Sequence, residues 1–144
     1  MKVTTLCFLV DGSRVLLALK KRGFGVGRWN GVGGKVEQGE SIEDAVVREA
    51  VEEIGVTLKI EDLTKVAVHR FAFENCSDME QECHVFLARQ WEGQPKETEE
   101  MAPQWFDVSA LPFDSMWPED RYWLPPTFNG KRTKGDFLFS RDTK

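Results

Sequence analysis

The sequence has few residues of the kinds that build disulfide frameworks or histidine-rich metal sites. It contains three cysteines and two histidines in 144 residues, and no C-x-x-C pair. An odd cysteine count without a spaced pair argues against a disulfide scaffold and is typical of a reducing cytoplasm. His69 and His84 lie in two separate strand patterns, each without a partner histidine. We therefore expect both to be structural rather than metal ligands.

A basic excess and a long apolar segment are also lacking. The formal net charge of −5 argues against a nucleic-acid polymer as partner, because binding to a phosphate backbone depends on a basic surface. The apolar run from Val3 to Val10 is too short to cross a membrane and carries no cleavage-site pattern. We expect a cytoplasmic monomer with no membrane partner.

What is present is an ordinary globular composition, with 41% hydrophobic and 30% charged residues. No repeat, low-complexity tract or linker divides the chain, so we predict one domain over residues 1–144. Asp11-Gly12-Ser13 predicts a hairpin turn between the first two strands. The pattern predicts strands at residues 3–10, 14–19, 66–73, 84–89, 104–108 and 136–140. Two helices separated by strands favour an α/β fold with an α/β/α arrangement.

The second of these helices is predicted near Pro118, a residue suited to the first helical position. Pro125 and Pro126 should break or kink it, so we expect it to be short.

The first helix is predicted from Ile42 to Ile54, in the stretch GKVEQGESIEDAVVREAVEEIGV. Ser41 and Asp44 have the form of a capping box, and Gly55 stands where a helix would stop. The apolar face combines Val46, Val47, Ala50, Val51 and Ile54.

Three glutamates, Glu49, Glu52 and Glu53, crowd the edge of that face. Like charges at these spacings repel, which favours a cation among them, and carboxylate oxygens suit Mg²⁺ or Mn²⁺. A solvated acidic helix face is the alternative. Two details weigh against it, because lysines at i+4 are missing and Arg48 is placed to brace Glu52 and the acidic first turn.

The same stretch fits the spacing G-x5-E-x7-R-E-U-x-E-E-x-G-U, where U is a bulky apolar residue. The fixed positions are Gly34, Glu40, Arg48, Glu49, Ala50, Glu52, Glu53, Gly55 and Val56. Ala50 is smaller than usual at its position. The chain thus resembles the Nudix (MutT-type) hydrolases, which implies a Nudix fold, with a mixed β-sheet between helices, and hydrolysis of a diphosphate linked to another group.

The resemblance also implies a metal site and a catalytic set. The implied metal ligands are Gly33, through its carbonyl, together with Glu49, Glu52, Glu53 and Glu100. The implied catalytic residues are Arg48, Glu49, Glu52 and Glu53. Glu53 is our first choice for the general base and Glu52 the second.

Outside this stretch the chain is most similar to the oxidised-purine nucleoside triphosphatases of the family. The similarity lies in KKRGFGVGRWNGVGGKV at 20–36, CHVF at 83–86, EMAPQWF at 100–106, LPF and MWPEDRYW at 116–123. We therefore expect a base pocket whose substrate-binding residues are Thr5, Lys20, Phe24, Asn30, Gly34, Phe71, Phe73, Trp117, Glu119, Asp120 and Trp123.

Each type of residue suits a nucleotide. Trp117 offers a stacking surface for a purine, and Asn30 can both donate and accept. Lys20, by alternation along its strand, would point toward a phosphate. Glu119 and Asp120 could exchange hydrogen bonds with an oxopurine, or they could merely begin the helix. Relatives carry two aspartates at this pair, so Glu119 departs from the family pattern.

Three functions remain open at this point. The first is Mg²⁺-dependent hydrolysis of oxidised purine triphosphates, chiefly 8-oxo-dGTP, to the monophosphate and pyrophosphate. The second is the same chemistry on O6-methyl-dGTP, 2-oxo-dATP or another nucleoside diphosphate derivative. The third is an inactive nucleotide-binding module, which the presence of all three glutamates disfavours.

Overall fold

The structure is a computed structural model and describes residues 2–23, 25–73, 80–118, 120–128 and 133–139. Its elements are β1 (Lys2–Asp11), β2 (Arg14–Lys20), β3 (Trp29–Asn30), α1 (Ile42–Ile54), β4 (Leu63–Phe73), β5 (Gln81–Ala88), β6 (Met101–Asp107), α2 (Asp120–Phe128) and β7 (Thr133–Phe139). Short 3₁₀ turns lie at Ile60–Asp62 and Phe113–Ser115. None of the described helices is long and apolar enough to cross a membrane.

The strands form a mixed sheet with β1 and β5 at its centre. The order is β3-β2-β1-β5-β4-β7, and β6 also pairs with β2. β1 runs parallel to β5 and β4 runs parallel to β7, whereas the other pairings are antiparallel. The predicted hairpin is confirmed, since Val10 pairs with Val15 and Asp11 with Arg14.

Helices cover both faces of this sheet. Successive side chains of a strand point to opposite faces, and β1 follows this rule: Cys7 and Leu9 pack on the α1 side, Phe8 and Val10 on the α2 side. The helices contribute Val46, Ala50 and Ile54 from α1, and Trp123 and Leu124 from α2. The predicted α/β/α sandwich is therefore confirmed.

Helix α1 has the predicted bounds and caps. The Asp44 N–H donates to Ser41 Oγ at 3.0 Å, and Gly55 ends the helix with φ at +71°. The predicted apolar face was wrong at one residue, because Val51 is 50% exposed whereas Glu53 is 5% exposed. The buried face is thus rotated toward Glu53, whose carboxylate finds a hydrogen-bond donor in the loop before the helix.

Helix α2 is longer than predicted. It continues through Pro125 and Pro126 to Phe128. The carbonyls that lose their i+4 donors to these prolines belong to Arg121 and Tyr122, which are both exposed. Water can serve those carbonyls, so the prolines do not end the helix.

Three strands begin earlier than predicted, at Leu63, Gln81 and Met101. Their first residues lack the apolar alternation used for prediction. Pairing with a neighbouring strand extends them, since Leu63 pairs with Ala88, Gln81 with Lys2 and Met101 with Lys20. The last predicted strand is present as β7, although Ser140 lies outside the described residues.

Candidate active site

The loop before α1 lies directly against β1. The Thr5 N–H donates to the Gly34 carbonyl at 2.8 Å, and the Val32 N–H donates to the Cys7 carbonyl at 2.9 Å. A Cβ on Gly33 would collide with the Thr5 carbonyl, and one on Gly34 would lie 2.5 Å from Glu49 Oε1. Glycine is therefore required here for close backbone approach, which brings the loop within reach of the glutamates of α1.

Glu53 is the most buried carboxylate of α1. Its Oε1 accepts a hydrogen bond from the Gly33 N–H at 2.7 Å. Burial raises the pKa of Glu53 from its usual 4.5 to about 7, with a further rise from the charge of Glu49, while the Gly33 N–H and Lys20 oppose it. A carboxyl with this pKa exchanges a proton near neutral pH, as a general base must.

Arg48 organises the other carboxylates around it. Its Nε and Nη2 donate to the two oxygens of Glu40 at 2.8 and 3.0 Å, and Nη1 donates to Glu49 at 2.9 Å and Glu52 at 3.0 Å. These bonds hold the pKa of Glu40 down at about 2. Burial raises the pKa of Glu49, and the hydrogen bond and charge of Arg48 offset this rise only in part.

The predicted contact of Arg48 with Glu52 is confirmed. In the described part of the chain, its other bonds go to Glu49 and to the loop before α1, including the Lys35 carbonyl at 3.0 Å, and not to the first turn of the helix. Arg48 is thus placed to orient glutamates and to hold the loop on α1.

Glu100 lies on the connection between β5 and β6 and is held by Arg22. Arg22 Nε donates to Glu100 at 3.0 Å, and Nη2 donates to the same oxygen. This contact lowers the pKa of Glu100. Thr98 Oγ1 donates to the Glu53 carbonyl at 2.7 Å, which fixes the connection to the end of α1. Lys21 also binds the connection, through Glu97 at 2.6 Å.

A cavity of about 190 Å³ opens beside the glycine loop. Its lining includes Gly33 and Gly34, here called the acidic end because they contact Glu53 and Glu49, and the side chains of Asn30, Trp117 and Asp120, here called the pocket end. The glycines contact Glu53 and Glu49, so one continuous space leads from the acidic helix to an aromatic and polar pocket.

Eight predicted substrate-binding residues line this cavity, namely Thr5, Lys20, Asn30, Gly34, Phe71, Trp117, Asp120 and Trp123. Phe24 and Glu119 lie outside the described residues, as does the side chain of Phe73. The predictions for those three residues are therefore not tested by the structure.

The polar residues of the pocket are held by short local bonds. Asp120 is 3% exposed, and its Oδ2 accepts from the Trp117 N–H at 3.1 Å. Asn30 Oδ1 accepts from the Gly31 N–H at 2.9 Å, which orients its amide. Trp123 packs on His69, with ring centroids 4.4 Å apart. His84 and Glu82 are not among the lining residues, and His84 Nε2 lies 2.8 Å from Glu82 Oε1.

Sequence reasoning missed several lining residues: Thr4, Leu6, Ala18, Gly25, Arg28, Gly31, Gln81, Cys83 and Met101. Thr4 and Cys83 lie side by side in the cavity lining because β1 pairs with β5 in parallel. The pairing of distant parallel strands leaves no local signal, so these residues could not be predicted. Arg28 had a weak signal, since it lies two positions before the predicted residue Asn30.

Residues 1–126 match the NUDIX domain family. The chain is 46% identical to the oxidized purine nucleoside triphosphate hydrolase of Danio rerio and 45% identical to that of Mus musculus, in each case over 96% of this chain and 86% of the relative. The crystal structure of the MutT protein from Bacillus halodurans superposes with a TM-score of 0.84 at 28% identity, covering 100% of this chain and 94% of that one.

Proposed function

Because the chain belongs to the NUDIX family, we propose that it hydrolyses oxidised purine nucleoside triphosphates, chiefly 8-oxo-dGTP, to the monophosphate and pyrophosphate. One observation carries this proposal: a single cavity joins the glycine loop beside Glu53 to a pocket lined by Trp117, Asn30 and Asp120. The relatives named as oxidized purine nucleoside triphosphate hydrolases support the same substrate class.

The pocket end of the cavity suits a purine. The indole of Trp117 provides a flat apolar surface for stacking. Asn30 and Asp120 supply polar groups that are already oriented by Gly31 and by the Trp117 N–H. Such groups discriminate between bases through hydrogen bonds, because a base with the wrong edge leaves them unpaired in a buried site.

The acidic end suits a divalent ion. Glu49 and Glu53 are carboxylates whose burial raises their pKa values, so a cation that neutralises them is favoured. As they stand, no three acidic, histidine or cysteine side chains of the described residues are grouped closely enough to hold an ion. Glu49 and Glu52 are bound by Arg48 instead.

We assign the metal ligands to Glu49, Glu52, Glu53, the Gly33 carbonyl and Glu100, and the ion to Mg²⁺ or Mn²⁺. When bound, the ion would neutralise polyphosphate charge and acidify a water molecule. Glu100 would have to leave Arg22, and Glu52 would have to leave Arg48. Both of these glutamates are substantially exposed, so the rearrangement costs little packing.

Glu53 is the group that takes the proton from the attacking water. Without a bound ion its pKa is about 7, and a general base works best when its pKa lies near the operating pH. Since the Gly33 N–H donates to Oε1 of Glu53, the other carboxylate oxygen can accept this proton. Lys20 also lines the cavity, where its ammonium can bind phosphate oxygens.

The experiment that tests this function measures kcat/KM for 8-oxo-dGTP and for dGTP in Mg²⁺, with the products identified by chromatography. We expect a ratio well above ten, which corresponds to more than about 1.4 kcal/mol of discrimination, and monophosphate with pyrophosphate as products. A ratio near one would contradict the assignment of the base. The panel should include O6-methyl-dGTP and 2-oxo-dATP, because a preference for either would retain the chemistry and change the substrate. Magnesium binding without turnover of any nucleotide would instead show an inactive binding module.

We further propose that the protein acts as a monomer in the cytoplasm. Cys7 and Cys83 are buried thiols, and burial raises the pKa of each to about 12. Neither is a reactive thiolate at neutral pH, which suits a reducing compartment. Light scattering after size exclusion tests the monomer, and a dimer mass would contradict it.

A further inference from the structure

We propose that Arg28 is a positioning residue that holds the indole of Trp117 in the orientation needed to stack a purine. This inference rests on the proposed function. The guanidinium carbon of Arg28 lies 4.2 Å from the centroid of the Trp117 ring, and Nη1 donates to the Met116 carbonyl at 3.1 Å. Both Arg28 and Trp117 line the cavity.

The anchor of Arg28 is rigid on both sides. Met116 is 2% exposed and belongs to the core on the α2 side. The backbone of Arg28 is fixed as well, because its N–H donates to the Gly25 carbonyl at 3.1 Å and its carbonyl accepts from the Lys20 N–H at 3.1 Å. The guanidinium is therefore held in place by two separate parts of the fold.

Trp117 is held through its backbone, since its N–H donates to Asp120 Oδ2 at 3.1 Å and its carbonyl accepts from the Asp120 N–H at 3.0 Å, but these bonds do not fix the rotamer of the indole. It lies in the segment between the 3₁₀ turn at Phe113–Ser115 and α2, outside helix and sheet. A side chain in such a segment depends on its neighbours for a single rotamer. Gly25 borders the edge of the indole, since a Cβ there would lie 3.5 Å from Cζ2 of Trp117.

An aromatic ring has two faces, and the Arg28 guanidinium covers one of them through a cation–π contact. A purine that stacks on Trp117 must then use the opposite face. Arg28 thus selects the stacking face and reduces the rotamer freedom that substrate binding would otherwise have to remove. The effect belongs to binding and not to the chemical step.

The test is a double-mutant cycle with Arg28→Met and Trp117→Ala, read out as KM and kcat for 8-oxo-dGTP and as the Kd of the monophosphate product. We expect Arg28→Met to raise KM and Kd by roughly 3- to 30-fold, the range of a cation–π contact, with kcat changed less than about twofold. In the Trp117→Ala protein, Arg28→Met should change Kd by less than about twofold, because its effect passes through the indole.

Arg14→Met is the matched control. Arg14 makes the same kind of contact, 5.2 Å from the centroid of Trp105, on the strand pair β2–β6 and away from the cavity lining. It should leave KM and kcat unchanged. Thermal unfolding of every variant shows whether a loss of affinity is a loss of folded protein. Should Arg28→Met unfold at the assay temperature, Arg28→Lys carries the test, with a smaller rise in KM expected because a lysine keeps the charge and loses the planar contact.

Three results would overturn the inference: an unchanged KM in Arg28→Met, a lower KM, which would mean that Arg28 competes with the base for the indole, or effects of Arg28→Met and Trp117→Ala that simply add. Failure of the proposed function is a different result, since it would appear in the wild-type protein as a lack of preference for 8-oxo-dGTP. The cycle can then be repeated with whichever nucleotide the wild type hydrolyses.

Discussion

Glu53 combines two properties that seldom occur together in a carboxylate. It lies on the buried face of α1, and its charge is opposed there by burial and by Glu49. The Gly33 N–H is the principal group that stabilises its ionised form. A buried carboxylate in this environment destabilises the folded protein, although catalysis requires it. Its removal should therefore lower the activity and raise the stability.

The first prediction concerns activity. Glu53→Gln should lower kcat for 8-oxo-dGTP by roughly 10²- to 10⁴-fold, because the amide cannot take up the proton of the attacking water. The measurement is steady-state pyrophosphate release. Glu61→Gln removes an exposed glutamate in the 3₁₀ turn after α1, and its kcat should equal that of wild type. Wild-type activity in Glu53→Gln would show that another residue is the base.

The second prediction concerns stability and pH in protein freed of divalent ions. The folded pKa of Glu53, about 7, is higher than its usual 4.5, so between these pH values the unfolded chain ionises while the folded chain keeps the proton. Wild-type stability from this group therefore falls as pH rises from about 4.5 to about 7 and stays low above it.

The amide in Glu53→Gln does not titrate, so this variant does not lose stability in this way as pH rises. It should be more stable than wild type by on the order of 2 to 3 kcal/mol at pH 8, and the difference should shrink toward pH 5. Urea unfolding at both pH values measures it. A variant that is less stable than wild type at pH 8 would mean that the buried charge is well compensated in the native state.

At the level of secondary structure, the site depends on the glycine loop before α1, which packs between β1 and α1. The loop pairs with β1 through backbone bonds at Thr5 and Cys7, and Arg48 binds it from α1 through Glu40 and the Lys35 carbonyl. Displacement of the loop would move the Gly33 N–H away from Glu53. The loop and the helix therefore act as one unit.

The third prediction tests this unit with Gly33→Ala. The added Cβ would collide with backbone atoms of β1, which cannot move aside as a flexible side chain can. We expect a loss of more than about 2 kcal/mol of stability and a fall in activity. Gly39→Ala is the control: its Cβ meets nothing within 4 Å, so the cost comes from its φ of +82° alone, about 1 kcal/mol. Equal losses in the two variants would contradict the close approach.

Across the whole molecule, the cavity exists because distant segments meet. Its lining comes from strands β1 to β6, the loops on either side of β3 and the start of α2, which the fold brings together. Ion binding should therefore be detectable as stabilisation of the entire fold.

The fourth prediction follows from that coupling. Mg²⁺ should raise the Tm of wild type, because the folded protein alone gathers the ligands, and a hundredfold excess over Kd corresponds to about 2.7 kcal/mol. In Glu53→Gln the same addition should raise Tm much less, although that variant starts from a higher stability above neutral pH. Glu61→Gln should respond like wild type. An equal shift in Glu53→Gln would remove Glu53 from the ligand set.

Local sequence was sufficient to predict α1, the β1–β2 hairpin and the spacing of Arg48 and the three glutamates. Caps, turns and periodicity depend on residues within a few positions of one another, as the Ser41 and Gly55 caps show. The same reasoning failed at Pro125 and Pro126, where exposure to water decides whether a lost hydrogen bond ends a helix.

Tertiary structure decided which glutamate is buried, which face of α1 packs on the sheet and which residues line the cavity. Thr4 and Gln81 bond across 77 positions of sequence, and the contact of Arg28 with Trp117 depends on the same packing of layers. No pattern along the chain encodes such meetings, because they arise from parallel strand pairing and from the burial of two helices on opposite faces of one sheet.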